Sequence, residues 1–303
     1  MIQQFDSLLQ MMEAFPDEQT CVDHLRAIRW KNGAYCPHCG STKVYHFSDK
    51  LSHKCGDCRQ RFSIKVGTIF EDTKLPLRKW FIAIWLITSH KKGIASTQLA
   101  KDLKITQKSA WFVLHRLRYA ARTQSFAAPL EGDVEVDETY VGGKAKNKHG
   151  GRSGGGSGVA GKAIVMGAVE RNGGVVASVV PNTDRETMEE FVDNAISPKV
   201  TSVSTDEHQG YRRLALKYPH GTVHHSKKEY VVGNTHTQTI DGYWSQLKRQ
   251  IIGIHHFVSK KHLGRYVAES SWRYNRRHVG EGERVNALMA NATGRLTYKA
   301  LIA

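Results

Sequence analysis

The chain divides by the rhythm of its apolar positions. Near the start, Cys21, Leu25 and Ile28 recur at helical spacing behind Asp17, a residue type that caps helix starts. Residues 1–32 therefore read as a short helical segment. Between 76 and 123 a period of 3.6 is sustained. Ala110, Val113, Leu114 and Leu117 stand at i, i+3, i+4 and i+7, and Thr106 can cap the helix that carries them. A helix over 96–103 joins it through Lys104-Ile105-Thr106, the outline of a helix-turn-helix domain over 76–123. Beyond about 130, alternation takes over. Residues 133–141, 162–171 and 175–181 predict three successive strands, with Asn172-Gly173-Gly174 as a hairpin turn. Then come a helix over 184–196 capped by Asp184, a strand over 200–205 and a helix over 207–218. Two long helices, 236–252 and 259–276, follow.

Composition narrows the class. Of 303 residues, 40% are hydrophobic and 24% charged, enough for a buried core. Lys plus Arg number 44 against 28 Asp plus Glu, a net charge of +16 that favours polyanions, nucleic acid before membrane. The longest apolar stretch, around 80–88, is far short of the roughly 20 residues of a membrane span. The opening MIQQFDSLLQ also lacks the basic-then-apolar order of a signal peptide. The expectation is a cytoplasmic protein that handles nucleic acid and has no membrane partner. The charge is concentrated: residues 76–123 carry ten Lys plus Arg and the single acid Asp102. In the second helix of that domain, Gln107, Lys108 and Ser109 would face bases, and Arg116 and Arg118 would hold phosphates.

Four of the five cysteines form two pairs, Cys36-Pro37-His38-Cys39 and Cys55-Gly56-Asp57-Cys58, 15 residues apart. Four thiolates at that spacing match the tetrahedral demand of one structural Zn²⁺. Residues 33–68 would then be a zinc ribbon, too small to fold around a core of its own. Cys21 is left as a buried helix residue.

The acids point to a second kind of metal. Asp133, Glu135 and Asp137 alternate along one face of a predicted strand, where like charges are costly unless cations neutralise them. Asp206 ends the strand over 200–205, and Asp241 lies two helical turns before Lys248. Three antiparallel strands, a helix, a fourth strand and further helices is the element order of an RNase H-like α/β domain, assigned to 130–303. On it Asp137, Asp206 and Asp241 would hold two Mg²⁺ ions, with Mn²⁺ able to substitute, for phosphodiester chemistry. Lys248 would contact the phosphate.

Several stretches together resemble one family. They are Arg29-Trp30-Lys31-Asn32-Gly33-Ala34-Tyr35-Cys36-Pro37-His38-Cys39, Gly67-Thr68-Ile69-Phe70, and Val136-Asp137-Glu138-Thr139-Tyr140-Val141-Gly142-Gly143. Asp206-Glu207-His208-Gln209-Gly210-Tyr211, residues 236–249 and Arg273-Tyr274-Asn275-Arg276-Arg277 complete the set. They are similar to insertion-sequence transposases of the DDE superfamily that carry an N-terminal zinc ribbon, of the ISXO2-like type. The resemblance implies an RNase H-like catalytic core, a prokaryotic, nucleoid-associated enzyme and two duplex DNA substrates, element ends and target. DNA strands would be cleaved and the 3′ ends joined to target, by a homodimer or higher multimer on the DNA. Members commonly carry Asn where Gln238 stands and Glu where Asp241 stands. Gln238 and Glu269 therefore stay open beside Asp241 as completing the metal site. A DNA-binding regulator without catalysis and a nuclease that cuts without joining are the alternative functions.

The run from Gly156 to Ala163 nearly matches a phosphate-binding loop but lacks the Mg²⁺-holding hydroxyl, and a strand follows where a helix must begin. Residues 149–158 read instead as a flexible loop whose neighbours Lys144, Lys146, Lys148 and Arg152 can track phosphates.

Overall fold

The computed structural model describes residues 2–48, 51–122, 129–143 and 161–303, so the loop with Lys144, Lys146, Lys148 and Arg152 lies outside the described residues. Two compact units result, Met1–Ala121 with His278–Ala303, and Arg122–Arg277. Among the described residues no helix is long and apolar enough to cross a membrane.

The N-terminal unit opens with α1 (Leu8–Ala14) and α2 (Glu18–Arg29), each started by a side-chain cap. Asp17 accepts the amide of Thr20 at 2.8 Å, and the face of α2 that it launches buries Cys21, Val22 and Leu25. Strands β1 (Val44–His46), β2 (Ser52–Cys55) and β3 (Arg61–Ser63) form an antiparallel ribbon in that order. Helix α3 (Leu77–Ser89) is apolar on nearly every side and buries Trp80, Phe81, Ile84 and Trp85, so it is the centre of this unit. Helices α4 (Ser96–Leu103) and α5 (Gln107–Arg122) follow, joined by three residues of which Lys104 is left-handed at φ 47°. Thr106 accepts the Ser109 amide at 3.2 Å, and Ala110, Val113, Leu114 and Leu117 are all buried.

The second unit is a mixed α/β sheet. Strands β4 (Asp133–Val141), β5 (Ala163–Glu170) and β6 (Val175–Val180) are antiparallel neighbours, and α6 (Arg185–Ala195) leads to β7 (Ser202–Thr205) and β8 (His220–Thr222). The strand order is β6-β5-β4-β7-β8, with β7 parallel to both β4 and β8. The segment 207–218, expected as a helix, is a 3-10 helix over Gln209–Leu216. Its buried anchors Tyr211 and Leu214 are three apart, one turn of a 3-10 helix, and so share a face. A short hairpin, β9 (Val231–Val232) and β10 (Thr235–His236), leads into α7 (Gln238–Gln250). Helix α7 runs into a π-helix over Ile251–His255, and α8 (Lys260–Asn275) follows. One face of the sheet packs α6 and the 3-10 helix through Met188, Phe191, Val192 and Tyr211. The other packs α7 and α8 through Ile240, Trp244, Leu247 and Val267.

The last two helices correct the boundary placed at 303. Helix α9 (Glu281–Ala290) and α10 (Tyr298–Ile302) belong to the N-terminal unit, not to the sheet domain. Asn286 meets the His24 ring at 2.8 Å, and the amides of Ile69 and Gly294 donate to Ala292 and Gly67 at 2.8 and 2.9 Å. The stretch Gly67-Thr68-Ile69-Phe70 is thereby tied to the far end of the chain.

Candidate metal centre and carboxylate site

Four sulfurs gather at the end of the ribbon. Cys36 and Cys39 lie in the turn before β1, Cys55 ends β2 and Cys58 lies in the turn after it. Their Sγ atoms all lie within 4.8 Å of one another. Cys36 to Cys58 measures 3.7 Å and Cys39 to Cys55 3.6 Å. A tetrahedron with Zn–S bonds of about 2.3 Å has edges of about 3.8 Å, so the set fits one Zn²⁺. Backbone shape supports each pair. Gly40, after the first, is at φ 78° and Arg59, after the second, at φ 61°. The turns aim amides at sulfur: His38 N–H to Cys36 and Cys58 N–H to Cys55, both at 3.4 Å. Burial resists ionisation of Cys55, and the amides of Cys58 and Asp57 outweigh it and lower its thiol. His46 and His53 contact each other at 3.0 Å away from this cluster and are not among its ligands.

The carboxylates are arranged differently. The β4–β7 register pairs Glu135 with Ser204, so two residues further along Asp137 comes level with Asp206, just past the end of β7. From the other side of β4, the Trp244 indole on α7 donates to Asp137 at 2.8 Å. Gly167, opposite Asp137 on β5, leaves room for that ring, since a Cβ there would lie 2.7 Å from it. Burial pushes the Asp137 carboxyl up to about 7; the charges of Glu138, Asp206 and Asp241 act in the same sense and the indole opposes them. Asp241, exposed in the first turn of α7, is also raised by its partial burial, with Glu135 adding and His225 and Lys248 opposing. Among the described residues these carboxylates are not drawn together as tightly as the four thiols. Lys248 borders a cavity of about 550 Å³ lined also by Tyr140, Gly143, Ile252 and Phe257.

Not every acid on the alternating face is alike. Asp133 accepts from Ser202. Glu135 is fully buried and satisfied by protein donors, so no cation is needed to offset it. Glu269 on α8 is buried in an ion pair with Arg273, and Gln238 is exposed at the start of α7. Sequence reasoning did not single out Trp244 or Tyr211 as partners of acids; the Tyr211 hydroxyl donates to Glu138 at 2.8 Å. Their aromatic type signals core, and only the fold reveals which acids they reach.

On α5, Gln107 and Lys108 are exposed and Ser109 half-buried. Gln107 donates to Ser96 at 2.9 Å, and Lys108 lies over the Tyr298 ring at 4.9 Å. Arg116 and Arg118 correct the expectation that they hold phosphates. They are only 5% and 1% exposed. Arg116 donates to the carbonyls of Leu296, Ile69 and Glu71 at 3.1, 2.8 and 2.9 Å. The helix turns that side to its own core because Val113, Leu114 and Leu117 share it.

A protein in transposable element ISH50 of Halobacterium salinarum is 27% identical over 271 residues, covering 84% of this chain and 90% of the relative. A crystal structure of a pre-cleavage Mos1 transpososome matches at 12% identity over 75% of this chain and 82% of its own, with a TM-score of 0.29. Residues 16–61 match the transposase zinc-ribbon domain, and all four cysteines fall within them. Residues 129–275, which carry Asp137, Asp206 and Asp241, match the ISXO2-like transposase domain.

Proposed function

We propose that this chain is a DNA transposase that binds the ends of an insertion sequence, cleaves DNA and joins the 3′ ends to target DNA in the cytoplasm. The observation that carries the reading is the β4–β7 register, which brings Asp137 level with Asp206 at one end of the sheet; the charges of Asp206 and Asp241 both raise the Asp137 carboxyl. The strand order, three antiparallel strands followed by two parallel ones, supports an RNase H-like core. Two Mg²⁺ ions on these acids would activate the attacking oxygen and stabilise the leaving one in successive in-line displacements at phosphorus. Trp244 holds Asp137 in one orientation, and Lys248 offers its cation to the backbone phosphate beside the scissile bond. Water is the first nucleophile and the freed 3′-hydroxyl the second, so no covalent link to protein is required. Helices α4 and α5 serve as the helix-turn-helix, with Gln107, Lys108 and Ser109 nearest the bases.

The test is cleavage and joining of a duplex carrying the repeats that flank the gene. Asp137→Asn and Asp206→Asn should each abolish both steps while end binding, followed by gel shift, persists. Asp241→Glu should retain or raise activity. Normal cutting by both Asn variants would overturn the proposal.

A further inference from the structure

We infer that Glu135 is a positioning residue: from inside the sheet it caps α7 and so fixes where that helix presents Asp241. This rests on the metal-site reading of Asp241 given above. Helix α7 begins without a cap of its own, since the Thr237 side chain makes no such bond. Glu135, on β4, takes that place. One of its oxygens accepts the amides of Thr239 and Ile240 at 2.7 and 3.0 Å. The other accepts the Thr239 hydroxyl at 2.9 Å and Arg171 Nε at 2.7 Å. Arg171 also donates to the carbonyls of Asn234 and His236, at 2.7 and 3.2 Å, and so holds the hairpin that feeds the helix.

A carboxylate with no exposure is tolerated only when donors surround it, and a helix start is where such a charge is most favourable. The placement has a further consequence. Glu135 and Asp137 are two residues apart on one face of β4, a rise of about 6.7 Å. Their partners on α7, Ile240 and Trp244, are four apart, a rise of about 6 Å. Strand and helix thus meet at two matched points, and the helix can neither slide nor turn without breaking one. Asp241 directly follows the first point. Its side chain is one methylene shorter than glutamate, so a small displacement of the helix takes it out of reach of a shared ion.

The experiment is Mn²⁺ binding to the zinc-loaded full chain by calorimetry. Glu135→Gln should weaken binding about tenfold, the usual scale for a group that orients a ligand. Adding Asp241→Glu to Glu135→Gln should recover most of that loss, because the longer arm tolerates a displaced helix; a purely structural role for Glu135 would give no such rescue. If Glu135→Gln does not fold, Thr239→Val, which removes one clamp bond, carries the test with a smaller loss in the same direction. Unchanged binding in a folded Glu135→Gln or Thr239→Val protein, or a loss that Asp241→Glu leaves untouched, overturns the inference. Asp137→Asn serves as the reference. If it loses the metal while Glu135→Gln keeps it, this inference alone fails; if it binds like the unchanged chain, the metal-site reading fails and takes this inference with it.

Discussion

Gln107 and Arg116 stand on the same helix, both polar and both at home on a nucleic-acid surface, yet they have opposite surroundings. Arg116 donates to the carbonyls of Ile69, Glu71 and Leu296, which meet in this corner of the core. Arg116→Ala should therefore cost about 2–4 kcal/mol, since buried acceptors lose their partner. Gln107→Ala should change stability by no more than about 0.5 kcal/mol and instead relax sequence preference in end binding. Thermal melting and gel shift on both variants separate the two, and an Arg116→Ala protein that melts like the unchanged chain would contradict this account. Side-chain identity did not carry the distinction. A cation can snorkel, pair or bury, and only the neighbours decide. The acids behaved likewise: Asp133, Glu135 and Asp137 alternate on one strand face, but Glu135 found Arg171 and a helix start instead of a metal.

At the scale of elements, alternation and period were good guides where a face is buried. Strands β4, β5 and β6 lie within a residue or so of their expected limits, because a one-residue slip would turn each apolar set to water. The segment 207–218 is a helix as expected, and its 3-10 form was not legible because one turn of buried anchors satisfies both a 3-10 and an α-helix. The ribbon was legible for a different reason: metal spacing, not hydrophobicity, encodes it. Among the described residues, Cys36, Cys55 and Phe62 form its buried cluster, with Trp30, Val44, Cys58 and Val66 packed against them. So small a core cannot hold three short strands, whereas structural zinc is worth roughly 10–16 kcal/mol in peptide models. Metal analysis should return one zinc per chain. A strong chelator should remove amide-exchange protection from β1, β2 and β3 while β4 and β5 keep theirs. Protection in the ribbon that survives complete loss of zinc would refute the structural role.

For the whole molecule, nothing in the sequence of residues 278–303 says what they cover, and they are expected to belong to the adjoining domain over 130–303. The fold gives Val285, Leu288 and Met289 of α9 to the N-terminal unit, with Asn286 on His24 and the Gln3 carbonyl. Ending the chain after Arg277 should thus lower the melting temperature of the first unit, by far more than that of the second. Two calorimetric transitions that shift equally would argue against the division. The same connectivity sets an order of events during synthesis. At about 5–20 residues per second, the roughly 150 residues of the sheet unit occupy the ribosome on the order of 10 s. Throughout that time the first unit waits with α2 and α3 uncovered, while the second can already pair β4, β5 and β6. What the ribosome makes first is what the fold completes last.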